Sequence, residues 1–443
     1  KVIGNIWATR KDENLNGLKL LVIQPINLID LHPVGEPIIA ADIIGAGVGE
    51  TVIYVGGSSA RPAAGGSNIP VDATIVGIED RHDVDALFPR RKLSSNCGSF
   101  TPAVEIFPMR TFYPAGDEQV LVQQVTGRSV PERGLPLNVG AVVENVGTVL
   151  SIADALEDKP VTEKYLSVTG AVREPVMFKV PLGTPIRRII NQVDLRVKDY
   201  AVIIGGPMMG KMQSSDSMID HAVVTKTTGN LLILPKDHYL VRRAVKPVQT
   251  MIRQARTSCI QCRFCTDLCP REQIGHNVKP NQIMRNLWRQ DQITDVKEFE
   301  ATFGSAANCS SCGVCEMFAC PMGLSPRKMN DYTKGLLRGL GINPEKNQNP
   351  TAKSTIEQRR IPTERLIARL GLSDYVFHVE PKLITDLDVK EVIVPLGQHI
   401  GKPATPVVKV GDMVHAGELI AEAAEGLSAN IHTRFAGIVT EIG

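Results

Sequence analysis

Eight of the nine cysteines in this 443-residue chain fall between Cys259 and Cys320, in two runs. The first reads Cys259-x2-Cys262-x2-Cys265-x3-Cys269-Pro270, and the second Cys309-x2-Cys312-x2-Cys315-x4-Cys320-Pro321. Three thiolates at successive i, i+3 spacing on a tight loop can surround one cubic iron–sulfur cluster. A structural zinc site draws instead on two separated pairs, often with histidine. Disulfides need an oxidising compartment, and the opening stretch KVIGNIWATRKDENLNG is not a signal peptide. The pattern therefore predicts iron–sulfur chemistry.

The Cys-Pro that closes each run is the mark of the bacterial ferredoxin pattern, in which the fourth cysteine ligates the other cluster. On that logic one [4Fe–4S] cluster takes Cys259, Cys262, Cys265 and Cys320. The second takes Cys309, Cys312, Cys315 and Cys269. The ninth cysteine, Cys97, stands alone in a linker and reads as an incidental thiol. Arg253, Arg256, Arg263 and Arg271 are expected to crowd the first cluster as a solvated basic surface.

A chain of this length has room for three or more domains. Its formal net charge of +2 argues against a nucleic-acid binder driven by bulk charge, and 5% aromatic residues against an RNA-stacking platform. No apolar run approaches a membrane span. The expectation is a soluble, cytoplasmic, multidomain protein, trimmed at its start because the initiating Met is missing.

Residues 1–82 alternate Val- and Ile-rich runs with Gly, Pro and Asn-Gly turns, at 2–7, 18–26, 36–44, 50–56 and 73–79. Five strands without a convincing helix predict a small OB-like barrel. Gly45-Ala46-Gly47-Val48-Gly49-Glu50 follows a strand as a dinucleotide loop does, but leads into another strand, so it reads as a glycine turn. This run, with Gly57-Ser58-Ser59-Ala60-Arg61 and the stretch from Ala73 to Asp80, resembles the vertex proteins of bacterial microcompartments. The resemblance implies a homopentamer that contacts other shell proteins, and a bacterial microcompartment as the location.

After the linker at 83–103, residues 104–162 predict a partial α/β unit. A strand and the turn Pro114-Ala115-Gly116-Asp117-Glu118 lead into one helix. A second helix carries Val149, Ile152, Ala153 and Leu156 as a one-sided apolar pattern. The stretch Tyr113 to Glu118, with Thr126-Gly127-Arg128 and Glu144 to Thr148, resembles the flavin-binding region of the propanediol-utilisation cobalamin reductases. These are related to the C component of the Rnf complex and to the flavoprotein of respiratory complex I. The resemblance implies FMN against Gly116, Asp117, Glu118 and Asn145. The glycine-rich loop Gly-x-Gly-Gly-Ala-Gly-Phe-Pro of that family does not occur in this sequence. The vertex-like segment stands in its place, so direct NADH oxidation is not implied.

The rest of the chain continues the same resemblance. Residues 163–245 predict a β-grasp of the soluble-ligand-binding type, whose Gly205, Gly206 and Gly210 read as structural turns. Residues 246–377 predict a helical, ferredoxin-like two-cluster domain with a core stripe of Ile283, Met284, Leu287 and Trp288. The x4 gap before Cys320 reads as a lengthened turn. Residues 378–443 resemble a barrel-sandwich hybrid whose hairpin tip, Ala424-Glu425-Gly426-Leu427, lacks the modified lysine of lipoyl domains. The fold class expected is thus multidomain α+β. The function expected is electron transfer at a microcompartment shell, through the two clusters to an acceptor such as cob(II)alamin, with FMN, and NADH behind it, as the candidate source. A cobalamin-dependent enzyme or an adenosyltransferase is the expected partner. The alternative is a structural shell vertex carrying a redox passenger.

Overall fold

The computed structural model describes residues 1–6, 15, 18–26, 33–56, 60–64, 70–78 and 106–443. The linker at 83–103, with Cys97, lies outside the described residues. Two compact units divide the chain, Lys1–Arg110 and Thr111–Gly443.

The first unit is one sheet of β1 (Val2–Ile6), β2 (Lys19–Ile23), β3 (Ile38–Asp42), β4 (Val52–Gly56) and β5 (Ala73–Ile78), with a one-turn helix α1 (Ala60–Ala63) before β5. The strand order is β1-β2-β3-β5-β4, antiparallel except for β3 and β5. Val2 N donates to Glu50 O at 2.8 Å and Gly49 N to Val2 O at 2.9 Å, which returns the stretch before β4 onto β1 and curls the sheet toward closure. Val2, Leu21, Ile23, Ala40, Ala73 and Ile75 fill its interior. Gly45 and Gly49 hold φ of 89° and 96°, a region that suits glycine, and the segment runs into β4 as a turn.

The second unit begins with β6 (Phe112–Tyr113), α2 (Glu118–Thr126) and α3 (Val146–Ala155). There follow β7 (Glu163–Gly170), β8 (Val176–Pro181), α4 (Ile186–Ile190), β9 (Tyr200–Ile204), β10 (Lys211–Gln213), α5 (Asp216–Asp220) and β11 (Asn230–Pro235). The cysteine region comprises α6 (Tyr239–Ala244), α7 (Val248–Ser258), α8 (Phe264–Asp267), α9 (Pro270–Gln273), α10 (Pro280–Asn286), α11 (Val296–Phe303) and α12 (Pro326–Gly339). Then come β12 (Ile361–Pro362), α13 (Thr363–Arg369) and β13 (Lys382–Ile384). Five short strands, β14 (Thr405–Pro406), β15 (Met413–Val414), β16 (Leu419–Glu422), β17 (Ile431–His432) and β18 (Gly437–Ile438), end the chain as two small antiparallel sheets. Gly426, at φ 95°, turns the tip between β16 and β17.

The central six-stranded sheet runs β10-β9-β11-β7-β8-β13. Because strand side chains alternate in direction, β9 and β11 each feed two cores. Val202, Leu231 and Ile233 pack with Ile186, Ile189 and Ile190 of α4 on one side. Ala201, Ile203, Leu232 and Leu234 face the other way, onto Cys312, Val314 and Met317 of the second cysteine run. The sheet is thus the floor on which that run sits. At its turn, a Cβ on Gly210 would lie 2.5 Å from Ile203 Cγ2 and 2.6 Å from Gly206 O, so only glycine fits there.

Several expectations need revision. Residues 382–384 add an edge strand to the β-grasp sheet, parallel to β8, so the segment from 378 onward is not wholly separate from it. Helix α3 buries none of its residues, and Val149, Ile152 and Leu156 are exposed, so among the described residues the apolar side that their spacing marks stays uncovered. Ile283, Met284 and Leu287 are buried, whereas Trp288 is partly exposed beneath the Arg256 guanidinium, 4.5 Å from its ring centroid.

Candidate metal centres and the flavin-type turn

Helix α7 ends at Cys259, whose N–H closes the last turn onto Ala255 O at 3.2 Å, and the chain then coils tightly through Cys262 and Cys265. Gln261 and Arg263, on either side of Cys262, have φ of 56° and 67°. Ser311 and Gly313, on either side of Cys312, have φ of 59° and 85°. The two loops therefore share one backbone design, with paired left-handed residues around the middle cysteine. Non-glycine residues persist in that region where a site over-determines them. Donors already point at sulfur: Ser311 N to Cys309 Sγ at 3.4 Å, Leu324 N to Cys320 Sγ at 3.3 Å, and Gln261 Nε2 to Cys259 Sγ at 3.2 Å.

The fold gathers the thiols into two groups. Burial, and then the proximity of Cys259, Cys320 and Cys262, push the Cys265 thiol up to about 12. A small cavity framed by these four cysteines is walled by Met284, Met322 and Leu324. Cys269 and Cys315 are held well above the usual thiol range, by burial first and then by Cys309 and Cys312, with Cys269 adding to the shift at Cys315. Burial also pushes Cys312 up to about 11. Thiols that resist ionisation side by side become thiolates when positive metal charge compensates them, so the donor set fits metal ligation. Among the described residues no three such side chains draw close enough to share a single ion. A four-iron cluster seats each thiolate on a different iron and does not require that closeness.

The extra residue of the second run has a structural solution. Cys315–Ala319 winds as a single π-helical turn, where the first run uses the α-turn Phe264–Asp267. The wider winding absorbs the fourth intervening residue. It also points Glu316 into the interior, where its side chain is fully buried against Arg243 Nε at 3.1 Å. Arg243 further donates to Gly323 O at 2.8 Å and to Leu324 O, and Glu316 Oε2 accepts from Lys328 N at 3.1 Å. This buried pair fixes the segment that carries Cys315 to one group and Cys320 to the other. Nothing in the spacing of the cysteines signals Arg243.

The turn expected to hold flavin spends much of its polarity on the second cysteine group. Asp117 Oδ1 caps α2 by accepting from Gln119 N and Val120 N at 3.1 and 3.2 Å. Its Oδ2 lies 2.9 Å from Arg271 Nη2, with both side chains 11% exposed. Arg271 is therefore buried beside Cys269 and does not belong to the solvated basic surface expected of it. Tyr113 Oη donates to Cys312 O at 2.7 Å, and burial raises its pKa, keeping the phenol a donor. Farther along, Glu132 accepts from Asn277 N and Asn347 N at 2.6 and 2.9 Å. Asn145 caps α3 through Gly147 N at 2.9 Å. Gly116 and Glu118 remain exposed on the turn.

Comparison with known proteins bears on each segment. Residues 1–80 match the family described as ethanolamine utilisation protein EutN/carboxysome, and residues 45–154 the Nuo51 FMN-binding domain. Residues 258–325 match the 4Fe-4S dicluster domain, and residues 379–443 the RnfC barrel sandwich hybrid domain. Cobalamin reductase PduS of Citrobacter freundii is 42% identical over 333 residues, which cover 74% of this chain and 71% of that protein. PduS of Salmonella typhimurium is 40% identical over 356 residues, 80% of this chain and 76% of that protein. The C component of the Na+-translocating ferredoxin:NAD+ oxidoreductase complex of Acetobacterium woodii is 30% identical over 50% of this chain and 46% of that protein. No described helix is long and apolar enough to cross a membrane.

Proposed function

The chain belongs to the cobalamin reductase PduS family, and on that footing we propose that it passes single electrons through two [4Fe–4S] clusters to cob(II)alamin, with FMN feeding them. It is an iron–sulfur electron-transfer protein linked to a bacterial microcompartment. The observation that carries the proposal is the gathering of two cysteine runs into two mixed groups, each completed by the Cys-Pro of the other run. Cys259, Cys262, Cys265 and Cys320 would hold one cluster, and Cys309, Cys312, Cys315 and Cys269 the other. Such a cluster supplies a one-electron store that needs no bond rearrangement when it is charged or discharged.

The protein's own groups do the remainder. Burial of Cys269, Cys312 and Cys315 keeps water from the second site. Lys334 donates to Cys309 O, and Tyr113 to Cys312 O, so dipoles and a cation offset the negative charge of a thiolate-bound cluster. FMN would lie over the exposed Gly116 and Glu118, with Asp117 and Asn145 shaping the two helix starts beneath it. The N-terminal unit would assemble as a pentameric vertex with other shell proteins, within a protein organised as vertex unit 1–82, flavin-type unit 104–162, β-grasp 163–245, cluster domain 246–377 and barrel-sandwich hybrid 378–443.

The test is anaerobic turnover. Protein reduced with dithionite and freed of excess should convert cob(II)alamin to cob(I)alamin, and denaturation should release FMN. Native mass measurement should return a pentamer. Loaded protein that leaves cob(II)alamin untouched would refute the assignment of acceptor.

A further inference from the structure

The two cysteine groups differ sharply in how they meet solvent. Cys269, Cys312, Cys315 and Cys320 are buried and Cys259, Cys265 and Cys309 partly so, whereas Cys262 is exposed. The second group is roofed by Tyr113 and by the buried Asp117–Arg271 pair and floored by the β-grasp sheet. A large partner cannot come close to it there. Around Cys262 the chain instead exposes apolar side chains: Ile260 is 61%, Phe264 48% and Met322 46% accessible. Ile260 and Met322 frame the same cavity as the first four cysteines, so this patch lies directly over that group.

Charge accompanies the patch. Arg256 lies over the Trp288 ring, Arg263 flanks Cys262, and Arg369 donates to Cys320 O at 3.2 Å. Asp267 pairs with one of these guanidinium groups, 3.9 Å from Arg263. Exposed Phe, Met and Arg are the residue types enriched where proteins meet, and a basic rim favours partners of opposite sign. From this combination we infer that the face around Cys262 is the docking surface for an acid-faced, single-electron carrier protein. The inference rests on the cluster reading above. One electron leaves the reduced first group and the carrier gains it, with no proton moved and no bond broken. Electron exchange falls off steeply with distance, and the exposed loop is where a carrier's redox centre can approach closest.

The full-length protein, loaded and reduced by dithionite, can be mixed in stopped flow with ferric cytochrome b5, which is acidic, and with ferric cytochrome c, which is basic. Cytochrome b5 should be reduced faster at low salt, with a rate that falls as salt rises, and Arg256→Glu with Arg263→Asp should slow it by about tenfold. Asp tolerates the left-handed φ at 263 better than most residues. Arg256→Glu alone, outside the cysteine loop, should slow it by a smaller factor, and redox-titrated EPR should show both clusters at wild-type potential in that variant. Wild-type rates in both variants, or rates independent of salt, would overturn the docking face. Absence of any cluster signal would instead overturn the cluster reading itself.

Discussion

Replacing Asp117 separates two roles that one carboxylate could play. Asp117 and Arg271 are each 11% exposed and 2.9 Å apart, and they join α2 to the segment that follows Cys269. Removing one member of such a buried pair leaves the other charge unpaired, at a cost of roughly 3–5 kcal/mol. Asp117→Asn keeps the helix cap and should therefore cost about 3 kcal/mol, near the low end of that range. Asp117→Ala also loses the cap, worth about 1 kcal/mol more. For a unit this large, about 2 °C per kcal/mol translates these into midpoints lowered by roughly 6 and 8 °C. Adding Arg271→Met to Asp117→Asn should restore part of the loss, because no buried charge is then left alone. The assay is thermal bleaching of the cluster absorbance under anaerobic conditions, with FMN measured in the same samples. The structure predicts lowered midpoints and a disturbed second-cluster signal. An unchanged midpoint together with lost flavin would refute it and restore Asp117 as a flavin contact.

Three further outcomes follow from named contacts. Tyr113→Phe removes the hydrogen bond to Cys312 O, and if about 1 kcal/mol of it depends on redox state the second cluster's potential should fall by roughly 40 mV, with the first unmoved in an EPR titration. Cys262→Ser should abolish one cluster's EPR signal and leave the other's, and loss of both would contradict the grouping. His276 is buried with its pKa lowered by burial, and its Nε2 donates to Val130 O at 2.8 Å. A histidine kept neutral in the fold binds fewer protons than in the unfolded chain, so its contribution is present above about pH 6.5 and lost as pH falls below it. His276→Gln should flatten that part of the stability profile, measured against wild type to subtract acid loss of the clusters.

What was legible in the sequence was local. Cysteine spacing marked both runs, and glycine and proline marked the turns at Gly45–Gly49, Gly210 and Gly426. The residues that hold the cysteine groups in place were not legible, because their partners are far away in the chain. Arg271 meets a carboxylate 154 residues earlier, and Tyr113 meets a carbonyl 199 residues later. No periodicity records such pairs. The π-turn at Cys315–Ala319 was visible only as one residue too many. Helix α3 misled for the opposite reason: its apolar spacing is real, but periodicity says which residues share a face and not whether anything covers that face.

The central claim is that this chain carries two [4Fe–4S] clusters on crossed cysteine sets. Metal and sulfide analysis of anaerobically purified protein, combined with spin integration of its reduced EPR spectrum, tests it most directly. The account predicts iron and sulfide sufficient for two clusters and two spins per chain. Zinc in place of iron, or iron and spin sufficient for a single cluster, would contradict it.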